Sequence, residues 1–208
     1  MSLIILFVTV LVALFAIMNP IGAVPILISL TDGYSLKERK DVIIKSVYMA
    51  SGMIFGFMFI GVYIFDILGI SIYDFEIAGG ALLFKVGFDM LQGKTSNTKI
   101  TQAEKDDSAE REAIGIAPIG TPLLAGPGSI TTAIIYFNST GITLIERVIV
   151  VIAVAIVLLL AYFLLKYSIK IFAKLGKTGS IVISRIMGLL LTAIAVELIT
   201  NGIIKIFL

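Results

Sequence analysis

The sequence predicts an all-α integral membrane protein of six transmembrane helices. They form two inverted three-helix repeats, with helices 1 and 4 discontinuous. Three observations lead to this fold class. First, 59% of the 208 residues are hydrophobic and only 14% are charged, against roughly 25% charged in soluble domains; mean hydropathy is +1.09. A soluble core of this size cannot hide so much apolar surface. Second, six stretches reach the roughly 20 apolar residues that a spanning helix needs. Third, the two halves match at a shift of about 108 positions.

The same composition excludes several functions. Cys and His are absent, which removes disulfides, thiolate and imidazole metal sites, and Cys or His nucleophiles and bases. A net charge of +2 is too small to suggest nucleic acid. No catalytic set assembles, so no enzyme is expected. Gly87-Phe88-Asp89 does not give the Gly-x-Gly-Asp pattern of aspartyl intramembrane proteases. No resident cofactor or metal is expected, only H⁺ or Na⁺ as a coupling ion.

The six stretches are 3–31, 42–66, 75–93, 113–138, 147–172 and 180–207. The first has no Lys or Arg before it, exceeds a signal-peptide h-region and lacks a small-residue cleavage site. It is expected to remain as a transmembrane segment. Residues 1–92 form the first repeat, 93–112 a charged, solvated loop, and 113–208 the second repeat. The loops after stretches 1, 3 and 5 hold twelve Lys and Arg against two, Arg147 and Lys205, on the other side. The positive-inside rule then puts those loops in the cytoplasm and both termini outside the cell membrane.

In the repeat, Asn19-Pro20 lies over Gly126-Pro127, at a shift of 107 (20 to 127). Ser35-Leu36 and Glu38-Arg39 lie over Thr143-Leu144 and Glu146-Arg147, Gly80 over Gly188, and Asp89 over Glu197. Three spans per half is an odd number, so the second half enters the membrane from the opposite side, as in many secondary transporters.

Stretch 1 is broken by Asn19-Pro20-Ile21-Gly22, with Pro25 following. Stretch 4 is broken by Ala125-Gly126-Pro127-Gly128-Ser129, with Pro118 and Pro122 before it. Proline has no N–H and collides with the carbonyl four residues back, so the Ala16 and Leu123 carbonyls should be freed. Pro25 suits the first turn of a restarting helix. Ser129 suits an N-cap, with Thr131 and Thr132 in the first turn. Half-helix N-termini offer N–H groups to a carboxylate, and C-termini offer carbonyls to an ammonium group or a cation. Two facing breaks would hold a small zwitterion. The binding candidates are Asn19, Pro20, Ile21, Gly22, Gly126, Pro127, Gly128 and Ser129.

Charges inside the spans are the coupling candidates: Glu197, then Asp89, with Lys85 one turn before Asp89. Such groups often mark ion or proton paths, although Lys85 and Asp89 share a helix face and could pair. Glu76 and Arg185, near span ends, read as snorkelling groups. Gly79-Gly80 and Gly188 read as close-packing positions.

Asn19-Pro20-Ile21-Gly22 with Pro25, Ile77-Ala78-Gly79-Gly80-Ala81-Leu82-Leu83, and Pro122-Leu123-Leu124-Ala125-Gly126-Pro127-Gly128-Ser129-Ile130 together resemble the MarC family over essentially the whole chain. That family includes the small neutral amino acid transporters called SnatA. The resemblance implies a six-span membrane protein that moves glycine, alanine or similar molecules by alternating access. An exporter or channel for another small solute shares the architecture. The family pattern has a positive residue before the Ile-Ala-Gly-Gly stretch; Phe75-Glu76 stand there in this chain.

Overall fold

The computed structural model describes residues 2–31, 33–92, 119–139 and 141–207, so the expected loop 93–112 and residues 113–118 lie outside it. The described residues form helices and turns and no strand. Among the described residues, four helical runs are long and apolar enough to cross a membrane: Leu3–Ile28, Leu36–Leu68, Leu144–Tyr167 and Arg185–Phe207. Large apolar side chains cover the outside, among them Ile4 at 74% and Ile67 at 85% exposed. Water would not tolerate so continuous an apolar exterior, whereas a bilayer requires one.

The first stretch is broken as expected. α1 (Leu3–Met18) buries a stripe of Leu6, Val10, Leu14 and Met18, one residue per turn. It ends at Asn19, and α2 (Pro20–Leu30) begins at the next residue. Pro20 is the first helical residue of α2, where its missing N–H is harmless. The expectation for Pro25 is corrected. It lies inside α2, not in the first turn, because Pro20 already starts the helix.

α3 (Leu36–Leu68) starts six residues before the apolar stretch 42–66, with a capping box between Ser35 and Glu38. The two reciprocal bonds nucleate a turn that the charged residues then continue. α3 stops at Gly69, whose φ of 64° is the left-handed conformation that suits glycine. Ser71 and Asp74 cap α4 (Ile72–Leu91) in the same way. Phe57 and Phe65 of α3 lie 6.2 and 5.1 Å from Phe75 of α4, so the first turn of α4 seats its ring against the end of α3.

The fourth stretch is not one helix. Ile119–Leu124 forms a wide π-type turn, with the Ala125 N–H donating to the Gly120 carbonyl at 2.8 Å, and Thr121 is extended within it. α5 (Pro127–Phe137) follows. The fifth and sixth stretches fall in one helical run, α6 (Leu144–Phe207). A straight helix of that length would extend about 96 Å, but packing shows that it folds back. Arg147 lies over the Phe137 ring, and Phe137 sits against Phe59 of α3. From there Leu144–Tyr167 returns along α3. The C-terminal part runs antiparallel to α4, with Gly87 against Gly188, Gly80 against Ala195 and Gly202 against Tyr73. The chain therefore reverses between Tyr167 and Arg185.

That antiparallel pair has its small residues seven apart on each helix: Gly80 and Gly87, facing Gly188, Ala195 and Gly202. A Cβ on Gly87 would lie 2.8 Å from the Gly188 carbonyl oxygen, and one on Gly188 would lie 2.8 Å from that of Gly87. Only small residues let the backbones approach this closely.

The two halves share local detail. α2 and α5 are both 11-residue helices beginning with proline. At their ends, Thr31 bonds through N–H and Oγ1 to the Leu27 carbonyl, and Asn138 bonds through N–H and Nδ2 to that of Ile134. Gly33 and Gly141 both have positive φ, 81° and 77°. Thr143 and Glu146 form the same reciprocal bonds as Ser35 and Glu38. Thr31 and Asn138 are 107 apart, whereas Gly33 and Gly141 are 108 apart. One extra residue in the second turn accounts for the two shifts.

Candidate functional site

Asn19 closes one helix and opens the next. Its N–H donates to the Phe15 carbonyl, and its Oδ1 accepts the Gly22 N–H at 3.0 Å. Its φ of 42° makes it the one described non-glycine residue in the left-handed region. Asn tolerates this conformation better than most residues because its short polar side chain can bond locally. Gly22 leaves room for that bond; a Cβ there would sit 2.5 Å from Asn19 Nδ2. Nδ2 itself is buried and has no hydrogen-bond partner among the described residues. Buried amide donors are normally paired, so this one is available to a ligand.

At the second break the cap differs from expectation. Gly126 occupies the N-cap position of α5 and Pro127 the first helical position. Ser129 is not the N-cap. It lies three residues inside, 1% exposed, with Oγ 2.7 Å from the Leu124 carbonyl and 3.0 Å from that of Gly126. Its hydroxyl serves carbonyls left over by the π-type turn. Thr131 and Thr132 bond back in the same manner to the Pro127 and Gly128 carbonyls.

The unpaired backbone groups have a clear polarity. The Gly128 and Ser129 N–H groups, at the buried start of α5, have no partner among the described residues. These are orphan donors of a helix N-terminus, with its partial positive charge. At the end of α1, the Ala16, Ile17 and Met18 carbonyls accept no bond from α2, because Pro20 has no N–H and the Gly22 N–H goes to Asn19. The expected release of the Leu123 carbonyl by Pro127 holds likewise.

The two breaks meet. A Cβ on Gly128 would lie 3.0 Å from Ile17 Cγ2 and 2.9 Å from Leu198 Cδ1, so the end of α1, the start of α5 and the C-terminal helix converge. Gly79 of α4 completes the junction: a Cβ there would stand 1.9 Å from Pro127 Cβ, so Pro127 can seat on α4 only over a glycine. The two breaks, one holding Asn19, Pro20 and Gly22 and the other Gly126, Pro127, Gly128 and Ser129, thus touch through Ile17 and Gly128. Ile21, in the first turn of α2, is 39% exposed. Sequence reasoning missed Ile17 and Leu198 as neighbours, since apolar residues carry no signal in so apolar a chain. It assigned Gly79 to packing alone.

The coupling candidates lie elsewhere. Lys85 and Glu197 are on the exposed faces of α4 and the C-terminal helix, and Asp89 is half-buried. Among the described residues, Lys85 and Asp89 make no ion pair, and Glu197 makes no hydrogen bond to Asn201. No cluster of three or more metal-ligating acids is found among the described residues.

The profile of MarC family integral membrane proteins matches residues 4–207. The chain belongs to the MarC family. Among its relatives is a UPF0056 membrane protein of Methanocaldococcus jannaschii, 38% identical over 92% of each chain. The UPF0056 membrane protein YvbG of Bacillus subtilis is 36% identical over 92% of this chain and 91% of its own. The UPF0056 membrane protein YhcE of Escherichia coli is 35% identical over 94% and 91%. No solved structure matches the chain. The match to the family profile takes in both breaks and the helical pair after them.

Proposed function

We propose that this MarC protein is a secondary transporter of small neutral amino acids, glycine- or alanine-like, across the cell membrane. The observation that carries the proposal is the meeting of the two breaks. Unpaired donors (Asn19 Nδ2 and the Gly128 and Ser129 N–H groups) and unpaired acceptors (the Ala16, Ile17 and Met18 carbonyls) belong to chain ends that touch through Ile17 and Gly128. A zwitterion needs both sets, its carboxylate at the donors and its ammonium at the carbonyls. Glycines and tight packing at the junction favour a small substrate.

In this reading the chain crosses the membrane six times as two inverted repeats, and both termini lie outside. The matched caps and half-helices support the repeat. So does one symmetry of contacts: a shift of 108 carries Gly80 onto Gly188 and Gly87 onto Ala195, so the Gly80–Ala195 contact maps onto the Gly188–Gly87 contact. Alternating access would follow from the two repeats exchanging conformations. Coupling to H⁺ or Na⁺ is assigned to Glu197, with Asp89 second and Lys85 as a local modifier. The proposal includes neither a chemical reaction nor a resident metal or cofactor. Radiolabelled uptake into proteoliposomes over an amino acid panel tests it. Saturable uptake of glycine or alanine is expected; selective passage of a different solute would favour the exporter or channel reading.

A further inference from the structure

A groove of about 440 Å³ lies on the outside of the bundle, away from the two breaks, between α3 and Leu144–Tyr167. It is lined by Ile44, Val47, Tyr48 and Phe55 on one side and Ala155 and Tyr162 on the other, among others. Its depth in the bilayer can be read from both helices. On α3, residues 46–65 carry no charge, so Ile44 sits at one membrane surface and Phe55 at the midplane. On the facing helix, residues 148–165 carry no charge, so Ala155 sits at the midplane and Tyr162 near the same surface. From Ile44 to Phe55 the helix rises about 16 Å, close to the roughly 15 Å of one hydrocarbon leaflet.

The ends of the groove differ. The midplane end is apolar. At the surface end, Lys166 Nζ stands 5.6 Å from the ring centroid of Tyr162, a lining residue, and 5.7 Å from that of Tyr167. Tyr48, 75% exposed, lines the same end. Residues 37–45, which precede it on α3, carry four cations against Glu38 and Asp41, a net positive charge. An apolar slot one leaflet deep therefore opens at Lys166 and two tyrosine hydroxyls.

We propose that this groove binds one anionic phospholipid of the cytoplasmic leaflet, its acyl chain along Ile44–Phe55 and its phosphate at Lys166 and the Tyr48 and Tyr162 hydroxyls. Charge complementarity selects the occupant. A zwitterionic lipid or a helix from a second copy would fill the slot but bring no net negative charge to Lys166 at its mouth, whereas basic sites on the cytoplasmic side of spans attract anionic headgroups. The site is independent of the amino acid site and stands whether or not the chain transports.

Native mass spectrometry of the full chain, released from micelles containing phosphatidylglycerol or phosphatidylcholine, tests this. The wild-type chain is expected to retain one phosphatidylglycerol in preference to phosphatidylcholine. Lys166→Gln should weaken phosphatidylglycerol retention about fivefold, the size of one cation acting on an anionic headgroup. Ala155→Phe, at an exposed position of the slot, should reduce retention of both lipids with helical circular dichroism unchanged. Lys205→Gln, at the opposite end of the bundle, should change nothing. Equal retention of the two lipids by wild type, an unaltered Lys166→Gln, or a dimer lost in Ala155→Phe would each overturn the proposal.

Discussion

Asn19→Gly separates the ligand role of this side chain from its structural one. In the structure Asn19 holds φ at 42° and caps α2 through the Gly22 N–H at 3.0 Å. Alanine here would lose the cap, costing about 0.5–2 kcal/mol, and would place a Cβ in the left-handed region, costing a further ~1–2 kcal/mol. Glycine carries no such strain, and as an N-cap it is weaker than Asn by only about a few tenths of a kcal/mol. Both substitutions remove the buried, unpaired Nδ2. If Nδ2 donates to a substrate carboxylate, its loss costs about 1–3 kcal/mol of binding, roughly a 5- to 150-fold weaker affinity. Thermal unfolding in micelles and equilibrium binding of radiolabelled glycine measure the two effects separately. Asn19→Gly should unfold near the wild-type temperature yet bind glycine weakly, whereas Asn19→Ala should lose both. Wild-type glycine affinity in Asn19→Gly would refute the reasoning and leave the first break as a kink.

Other outcomes follow from the same structure. Gly87→Leu should yield no monodisperse protein in size-exclusion chromatography, because its Cβ would meet the Gly188 carbonyl oxygen at 2.8 Å and neither backbone can move away; Gly52→Leu, with nothing within 4 Å, should behave as wild type. A reporter fused after Leu208 should be found outside the cytoplasm, and a cytoplasmic signal would overturn the orientation. Glu197→Gln should still exchange substrate across proteoliposome membranes but no longer accumulate it against a gradient; accumulation at the wild-type level would remove Glu197 from the coupling role.

The membrane class and the position of both breaks were legible because Pro and charge are rare punctuation in an apolar chain. Asn19-Pro20 and Gly126-Pro127 each start a helix where the sequence suggests a discontinuity. Cap chemistry was less legible. Ser129 resembles an N-cap by residue type, but the preceding π-type turn leaves carbonyls, and its hydroxyl goes to them. Pro25 resembles a helix start, but Pro20 had already supplied one. The basic start of α3 escaped a hydropathy reading because its helix is held by the Ser35–Glu38 capping box and not by apolar periodicity. The environment of Lys85 and Glu197 could not be read at all: the helix face a charge occupies depends on the seven-residue spacing of Gly80, Gly87, Gly188, Ala195 and Gly202, which decides which side of each helix is buried.

The central claim is that two opposed helix breaks hold both ends of a small zwitterion. Counterflow in proteoliposomes loaded with unlabelled glycine tests it most directly, using labelled glycine, methylamine or acetate outside. The amine alone satisfies only the carbonyls, and the acid alone only the N–H groups. Saturable counterflow of glycine, with methylamine and acetate neither carried nor competing at equal concentration, is the predicted result. Absence of glycine counterflow by folded protein, or equal passage of either one-ended analogue, would contradict it.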